Sequence, residues 1–226
     1  MGFSGGQKHQ FTPVPILELP SKPDDAEKFV SVVAGNNHLV VLTTHGNIYT
    51  WGAGEQGQLG RKVLERRKIH GTTPEKIVLG SRTRKAVAVG AGNYASFAVD
   101  DKGDVWAWGL NNMGQTGTGF TNAAADSEVQ LPKKVVGLSK EDLEGDSVVQ
   151  IVGGEHHTLF LTAAGKVFAC GRSNGGQLGI PSDDPVFKDR DADHQDLVEV
   201  PTLVSDRKST RLNSSHSGES RMPSSA

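Results

Sequence analysis

The feature of this 226-residue chain that most constrains its fold is a segment that occurs three times. The three copies are VVAGNNHLVVLTTHGNIYTWGAGEQGQLGR, VGAGNYASFAVDDKGDVWAWGLNNMGQTGTG and IVGGEHHTLFLTAAGKVFACGRSNGGQLGIP. The first glycines of successive copies lie 57 and 62 residues apart, and a second glycine column keeps the same spacing. These columns consist of Gly35, Gly92 and Gly154, and of Gly52, Gly109 and Gly171. Two columns that agree in this way indicate a repeated structural unit.

Each copy has the pattern of a β-hairpin followed by a tight turn. In the first copy, Leu39–Leu42 is a short apolar run that predicts a buried strand. Thr43–Gly46 then supplies a turn, and Asn47–Trp51 alternates as a returning strand. A GQLG sequence at Gly57–Gly60 marks a further reversal of the chain. No segment between these strands has helical periodicity long enough for a crossover helix, which excludes a parallel α/β fold.

Hairpin units repeated in series are typical of a β-propeller, in which each blade buries its faces against its neighbours. The stretches between the copies, Lys62–Arg84 and Phe120–Asp146, are long enough to complete each blade with an outer strand. We therefore predict an all-β fold, a partial propeller of about three blades. The blades are expected at residues 28–83, 84–146 and 147–205, after the end of a preceding blade and a linker at residues 1–27.

The last segment, residues 206–226, reads DRKSTRLNSSHSGESRMPSSA and has no apolar periodicity. Its letters resemble the in-frame translation of a sequencing-library adapter. We expect this segment to be disordered and to lie outside the fold. The natural sequence is then expected to continue differently after Ser205.

Composition narrows the function classes. A formal net charge of −2 argues against a general nucleic-acid-binding domain. The single cysteine, Cys170, excludes an internal disulfide framework and suits a reducing compartment. No apolar run approaches the length of a membrane span, so no membrane association is predicted.

The sequence Glu155-His156-His157 resembles a metal or acid–base site at first sight. Adjacent residues of a strand point to opposite faces, so the two histidines are poorly placed to share one metal ion. His157 aligns with His38, and we expect this column to tie turn backbone to the blade. No metal site is predicted. The glycine-rich GAGEQG and GRSNGG segments open no helix and are not predicted to bind nucleotides.

The repeat pattern G-x-x-H-x-x-x-L-x-x-x-G-x-x-x-x-W-G-x-G-x-x-G-Q-L-G, complete from Gly35 to Gly60, resembles that of the regulator of chromosome condensation family. The second copy departs from it at Ala95 and Thr116, among other positions, and the third has Cys170 in place of the tryptophan. The family fold is a seven-bladed propeller, which implies that about three blades are present here. The resemblance implies structural roles for the repeat positions Gly35, Gly52, Gly154, Gly171, His38, His157, Trp51 and Trp108.

Within the family, the segments EQGQLGRKVLERRKIH, GLNNMGQTG and GGEHHTLFLTAAGKVFACGR are similar to the middle blades of exchange factors for the small GTPase Ran. The resemblance implies a guanine nucleotide exchange factor that stabilises nucleotide-free Ran and associates with chromatin in the nucleus, with the cytoplasm as the alternative location. Such a factor performs no covalent chemistry, so it needs neither a cofactor nor a small-molecule substrate. In some members a β-wedge presses on the GTPase, and only its trailing edge, around Met1–Gly5, would be present.

The resemblance also implies a GTPase-binding surface. An aspartate and a histidine that engage Ran in the family correspond to Asn37 and His156, at the start of each blade's inner strand around the central opening. Asn37 retains a hydrogen-bond acceptor but lacks the charge. Tyr94 lies in the same column and offers a large amphipathic contact. Glu155 adjoins His156 and completes the predicted surface. Ordinary polar loop residues are the alternative interpretation of these positions.

A basic stretch, RKVLERRKIH at residues 61–70, follows the first GQLG sequence. In the family, arginines of a loop from this blade bind the acidic patch of the nucleosome, which implies Arg66 and Arg67 as candidates. Arginine forks pair bidentately with clustered carboxylates, which suits this role. A solvated loop is the alternative interpretation.

Other functions are built on the same repeat. The main alternative is a non-catalytic propeller module of a ubiquitin ligase or scaffold, in which any catalytic domain would lie elsewhere. A plant photoreceptor of this class would need clustered tryptophans, whereas only Trp51, Trp106 and Trp108 occur here. A secreted inhibitor is disfavoured because no secretion signal is visible.

Overall fold

The computed structural model describes residues 12–13, 27–63, 71, 73–119, 127–188, 190 and 195–205. These residues form three four-stranded antiparallel sheets, so the predicted all-β partial propeller is confirmed. The first sheet contains β1 (Phe29–Ala34), β2 (His38–Thr43), β3 (Ile48–Gly52) and β4 (Glu75–Ile77). The second contains β5 (Ala86–Ala91), β6 (Ala95–Asp100), β7 (Val105–Leu110) and β8 (Glu128–Lys134). The third contains β9 (Val148–Gly153), β10 (His157–Thr162), β11 (Val167–Arg172) and β12 (Leu197–Leu203).

Strand order in each sheet follows the chain, so each sheet is a simple meander. The first strands of successive sheets face one another, since β1 contacts β5 and β5 contacts β9. They are therefore the inner strands, and β4, β8 and β12 lie at the outer edges. This corrects one expectation: the Asn37 column precedes the second strand of each sheet and not the inner strand. The sequence pattern does not distinguish β1 from the glycine-containing loop that follows it, so β1 was not predicted as a strand of its own.

Two apolar cores hold the sheets together. Every residue of β6 is buried, because this strand is covered by the first sheet on one face and by the third on the other. Ala98, Trp106 and Trp108 pack toward the first sheet. On the opposite face, the rings of Phe97 and Phe160 meet edge to face with centroids 5.9 Å apart. The strand order and this two-sided burial give the stacked-blade arrangement.

The loops before the second strands are linked by backbone hydrogen bonds. The amide of Asn36 donates to the carbonyl of Asn93 over 2.8 Å, and the amide of Asn93 donates to the carbonyl of Gly154 over 2.9 Å. A Cβ atom on Gly92 would lie only 2.8 Å from the Gly154 oxygen, so this approach requires glycine. The three loops therefore form one continuous rim at one end of the sheets.

Some sequence predictions lie outside the described residues. Arg66 and Arg67 belong to this group, as do Met1–Gly5 with nearly all of residues 1–27, and the segment 206–226. A short 3₁₀ turn lies at Pro185–Phe187, before β12. No helix among the described residues is long and apolar enough to cross a membrane.

Candidate functional site

Asn37, Tyr94 and His156 occupy equivalent backbone positions on the rim. The carbonyl of each accepts a hydrogen bond from the first residue after the second glycine column of its own sheet. The donors are the amides of Ala53, Leu110 and Arg172, at 2.8, 2.9 and 2.8 Å respectively. The structure thus brings all three predicted residues to the same end of the sheets.

The second glycine column fixes these carbonyls in place. Gly52, Gly109 and Gly171 have positive φ angles of 119°, 108° and 105°. A Cβ atom on any of them would lie 2.2 to 2.4 Å from the carbonyl oxygen of the rim residue. Only glycine fits both the backbone conformation and the close contact. The W-G step of the repeat therefore positions the loop that presents the rim side chain.

The first glycine column positions the histidines that follow the rim. The ring of His38 lies over Gly35, where a Cβ atom would be 2.0 Å from Cε1, and the ring of His157 lies in the same way over Gly154. His38 Nε2 is 2.8 Å from the hydroxyl of Ser96 in the second sheet. Because that hydroxyl donates to the carbonyl of Gln58 over 2.8 Å, Nε2 of His38 is the donor to Ser96. The histidine thus ties one sheet to the next, whereas we had expected it to bind turn backbone.

Burial of His38 lowers its pKa to about 4, with a backbone interaction at Ala95 opposing the shift. His38 is therefore neutral at physiological pH, and its buried environment is typical of a structural histidine. No group of three His, Cys, Asp or Glu side chains able to hold a metal ion occurs among the described residues. Burial also raises the pKa of the Cys170 thiol, which makes it a poor nucleophile.

The rim side chains present hydrogen-bonding groups to solvent. Asn37 is exposed and Tyr94 is half-buried. The His156 side chain is 23% exposed, and its Nε2 lies 3.7 Å from Oε1 of Glu155, whose side chain is 64% exposed. An amide, a phenol, an imidazole and a carboxylate therefore lie along one rim, which is suited to protein recognition.

Sequence reasoning missed one rim residue, Asn36. Its side-chain amide donates to the Tyr94 hydroxyl across the junction of the first two sheets, over 3.0 Å. This bond restricts the Tyr94 ring before any partner binds. The sequence gives one indication of this residue: the positions directly before the three rim residues are all polar, namely Asn36, Asn93 and Glu155.

A family model described as the RCC1-like domain matches residues 1–220. The chain is 39% identical over 207 residues to Protein pim1 of Schizosaccharomyces pombe, covering 90% of this chain and 35% of that protein. It is 32% identical over 173 residues to the guanine nucleotide exchange factor SRM1 of Saccharomyces cerevisiae, covering 75% and 34%. It is 34% identical over 221 residues to the human regulator of chromosome condensation, covering 91% and 45%. The chain therefore spans less than half the length of these relatives.

Solved structures show the same architecture. The structure of Prp20p from Saccharomyces cerevisiae, studied together with its binding to Gsp1p and histones, matches with a TM-score of 0.67 and 30% identity. That match covers 82% of this chain and 40% of Prp20p. Yeast RCC1 (Prp20) bound to Kap60 matches with a TM-score of 0.67 and 29% identity, covering 80% of this chain and 38% of that one.

Proposed function

The chain belongs to the RCC1-like domain family, and on this premise we propose that it carries part of the GTPase-binding surface of a guanine nucleotide exchange factor for Ran. The relative SRM1 is named a guanine nucleotide exchange factor, and Prp20p binds Gsp1p. The observation that carries the proposal is the shared rim, in which Asn37, Tyr94 and His156 are held at equivalent positions by hydrogen bonds.

An exchange factor works by differential binding. It binds the nucleotide-free GTPase more tightly than the loaded form, and by linkage it weakens nucleotide binding by the same factor. A preformed surface serves this purpose, because little of the interaction energy is then lost in ordering loops. The backbone bonds that join Asn36, Asn93 and Gly154 supply such rigidity. No covalent step and no cofactor are required.

Each rim residue has a role in this proposal. His156, partly buried beside Glu155, contributes an imidazole that can donate or accept a hydrogen bond. Tyr94, restrained by Asn36, contributes aromatic area that costs little conformational entropy on binding. Asn37 is exposed and accepts or donates through its amide. Glu155 places a carboxylate at the edge, where it can meet a cation of the GTPase.

We also propose a nuclear location with chromatin association. Prp20p binds histones, and several relatives are named regulators of chromosome condensation. Arg66 and Arg67 remain the candidate contacts to the nucleosome acidic patch, through bidentate pairing with carboxylates.

The test uses a chimera in which residues 27–205 replace the matching segment of SRM1. Release of fluorescent GDP from Ran is measured with and without the chimera. We expect acceleration above the spontaneous rate, and His156→Ala should reduce it by about tenfold, the loss of one interface hot spot. Lys102→Ala, at an exposed turn on the other end of the second sheet, is the control and should leave the rate unchanged. A folded chimera that leaves the rate of GDP release at its spontaneous value contradicts the proposal.

A further inference from the structure

A groove lies between the first and second sheets, at the end opposite the rim. It has a volume of about 250 Å³ and is lined by the β2–β3 turn at Gly46 and by residues 76–79, 81, 82 and 84. Strand β2 separates it from Asn37 by about 20 Å, the length of six extended residues. The proposed exchange function makes no use of this groove.

The floor of the groove is apolar. Ile48, Ile77 and Leu79 line it and are buried members of the core between the two sheets. Val78, at the edge, is exposed. The floor is therefore the outer edge of the core, and an apolar side chain placed there would lose contact with water.

The edge of the groove is cationic. Lys76 and Arg82 line it with exposed side chains. No described residue gives Arg82 a hydrogen bond or an ion pair, whereas Arg84 is paired with Asp100 and Asp104. Lys76 interacts electrostatically with Glu27, whose carboxylate already accepts from Thr43 and Asn47. Within the described part of the chain, the charge of Arg82 thus has no compensating partner, and that of Lys76 is only partly balanced.

The walls of the groove are fixed before any ligand binds. The amide of Ala86, at the start of β5, donates to the carbonyl of Gly46 over 2.9 Å. Lys85 Nζ donates to Asn47 Oδ1 over 3.2 Å, which ties the second sheet to the same turn. Gly46 has a φ of 69°, and a Cβ atom there would lie 2.8 Å from Cβ of Lys85. The turn is therefore held against β5, and the groove does not have to form on binding.

We propose that this groove binds an acidic peptide segment of a partner protein, with one or two apolar side chains between its carboxylates. The carboxylates would pair with Arg82 and Lys76, and the apolar side chains would lie on Ile48, Ile77 and Leu79. A duplex nucleic acid fits the groove less well, because phosphate recognition needs cations spread along a surface and the volume admits only one or two side chains.

The test uses the 226-residue chain and the fluorescein-labelled peptide EDLFEE, with fluorescence anisotropy as the readout. We expect saturable binding that weakens as salt is added, because the contacts are charged and partly exposed. The double variant Lys76→Glu with Arg82→Glu should weaken binding at least tenfold. Lys133→Glu reverses one charge on the exposed outer strand β8, away from the groove, and should bind as the unchanged chain does. The peptide EDGGEE, which lacks the apolar side chains, should also bind at least tenfold more weakly.

Equal affinity in the double variant and the unchanged chain would overturn the proposal, as would equal affinity for EDLFEE and EDGGEE. Tighter binding of a DNA duplex that the double variant abolishes would replace the peptide with nucleic acid as the occupant. Both substituted side chains are exposed, so the variants should melt at the temperature of the unchanged chain. If the double variant fails to fold, the single change Arg82→Ala serves the same comparison, with an expected loss of at least threefold.

Discussion

At the scale of single residues, His38 makes a contribution to the stability of the fold that depends on pH. Its pKa falls from an ordinary value of 6.5 to about 4 because the ring is buried. Between these values the unfolded chain binds a proton that the folded chain does not bind. The contribution is therefore complete above pH 6.5 and is lost as the pH falls toward 4.

We predict that lowering the pH from 7 to 4.5 reduces the free energy of unfolding by about 2 to 3 kcal/mol through His38 alone. Urea denaturation of the 226-residue chain at both pH values measures the total loss. His38→Gln retains a donor for Ser96 but does not titrate, so its loss should be smaller by that amount. Equal losses in the two proteins would contradict this assignment.

A second titrating group affects stability at lower pH. Burial opposes the shift, but hydrogen bonds and charges from Lys134 and Arg84 together lower the pKa of Asp104. The stability it contributes is present above its ordinary pKa of 3.8 and is lost as the pH falls through the lower folded value. Measurements at pH 4.5 and above therefore separate His38 from this carboxylate.

The rim illustrates what could be predicted residue by residue. Most glycines of the two columns could be recognised because each is required by a contact within its own repeat, which sequence alignment preserves; Gly92, which meets Gly154 of the next sheet, is the exception. The bond between Asn36 and Tyr94 could not, since it joins residues 58 positions apart in two different sheets. Contacts between sheets depend on how the blades stack, and the repeat pattern alone does not show which residues of neighbouring blades face each other.

At the scale of strands and turns, a GQxG turn joins the first sheet to the second, and another joins the second sheet to the third. The carbonyl of Gln58 accepts from the Ser96 hydroxyl and from Trp108 Nε1, at 2.8 and 3.0 Å. At the next junction, the carbonyl of Gln115 accepts from the Thr158 hydroxyl over 2.7 Å, and Cys170 Sγ takes the place of the tryptophan donor at 3.5 Å. The same turn thus makes equivalent contacts with different donors.

We predict unequal losses from removing the two hydroxyl groups. Ser96→Ala deprives both Gln58 and His38 of a partner and should destabilise the chain by about 2 to 3 kcal/mol. Thr158→Val removes only the bond to Gln115 and should cost about 1 kcal/mol. Denaturant unfolding at pH 7 compares the two variants. Equal losses would show that His38 gains nothing from Ser96.

The inner strands show why part of each sheet was not predicted. β1 has a register shift between Phe29 and Ser31, and β5 and β9 have one at the equivalent position. The extra residues are Val30, Val87 and Val149, which are 57%, 59% and 49% exposed. A bulge interrupts the alternation of buried and exposed residues that identifies a strand in sequence. The bulge therefore hid these strands, whereas β2 and β3 have continuous patterns and were predicted.

At the scale of the whole molecule, the fold class could be predicted because propeller blades bury their faces only against their neighbours. A repeat of about 60 residues with hairpin patterning has few other ways to bury two apolar faces. The common end of Asn37, Tyr94 and His156 could be predicted for the same reason, since equivalent repeat positions stack side by side. Which partner meets that end depends on side-chain chemistry that the repeat leaves variable.

The most direct test of the proposed Ran-binding rim is hydrogen–deuterium exchange of the chimera with and without nucleotide-free Ran. We predict added protection of the backbone amides of residues 35–37, 92–94 and 154–156 when Ran is bound. The turns at the other end, residues 44–46, 101–103 and 163–165, should be unchanged. Protection confined to those turns, with none at the rim, would contradict the account.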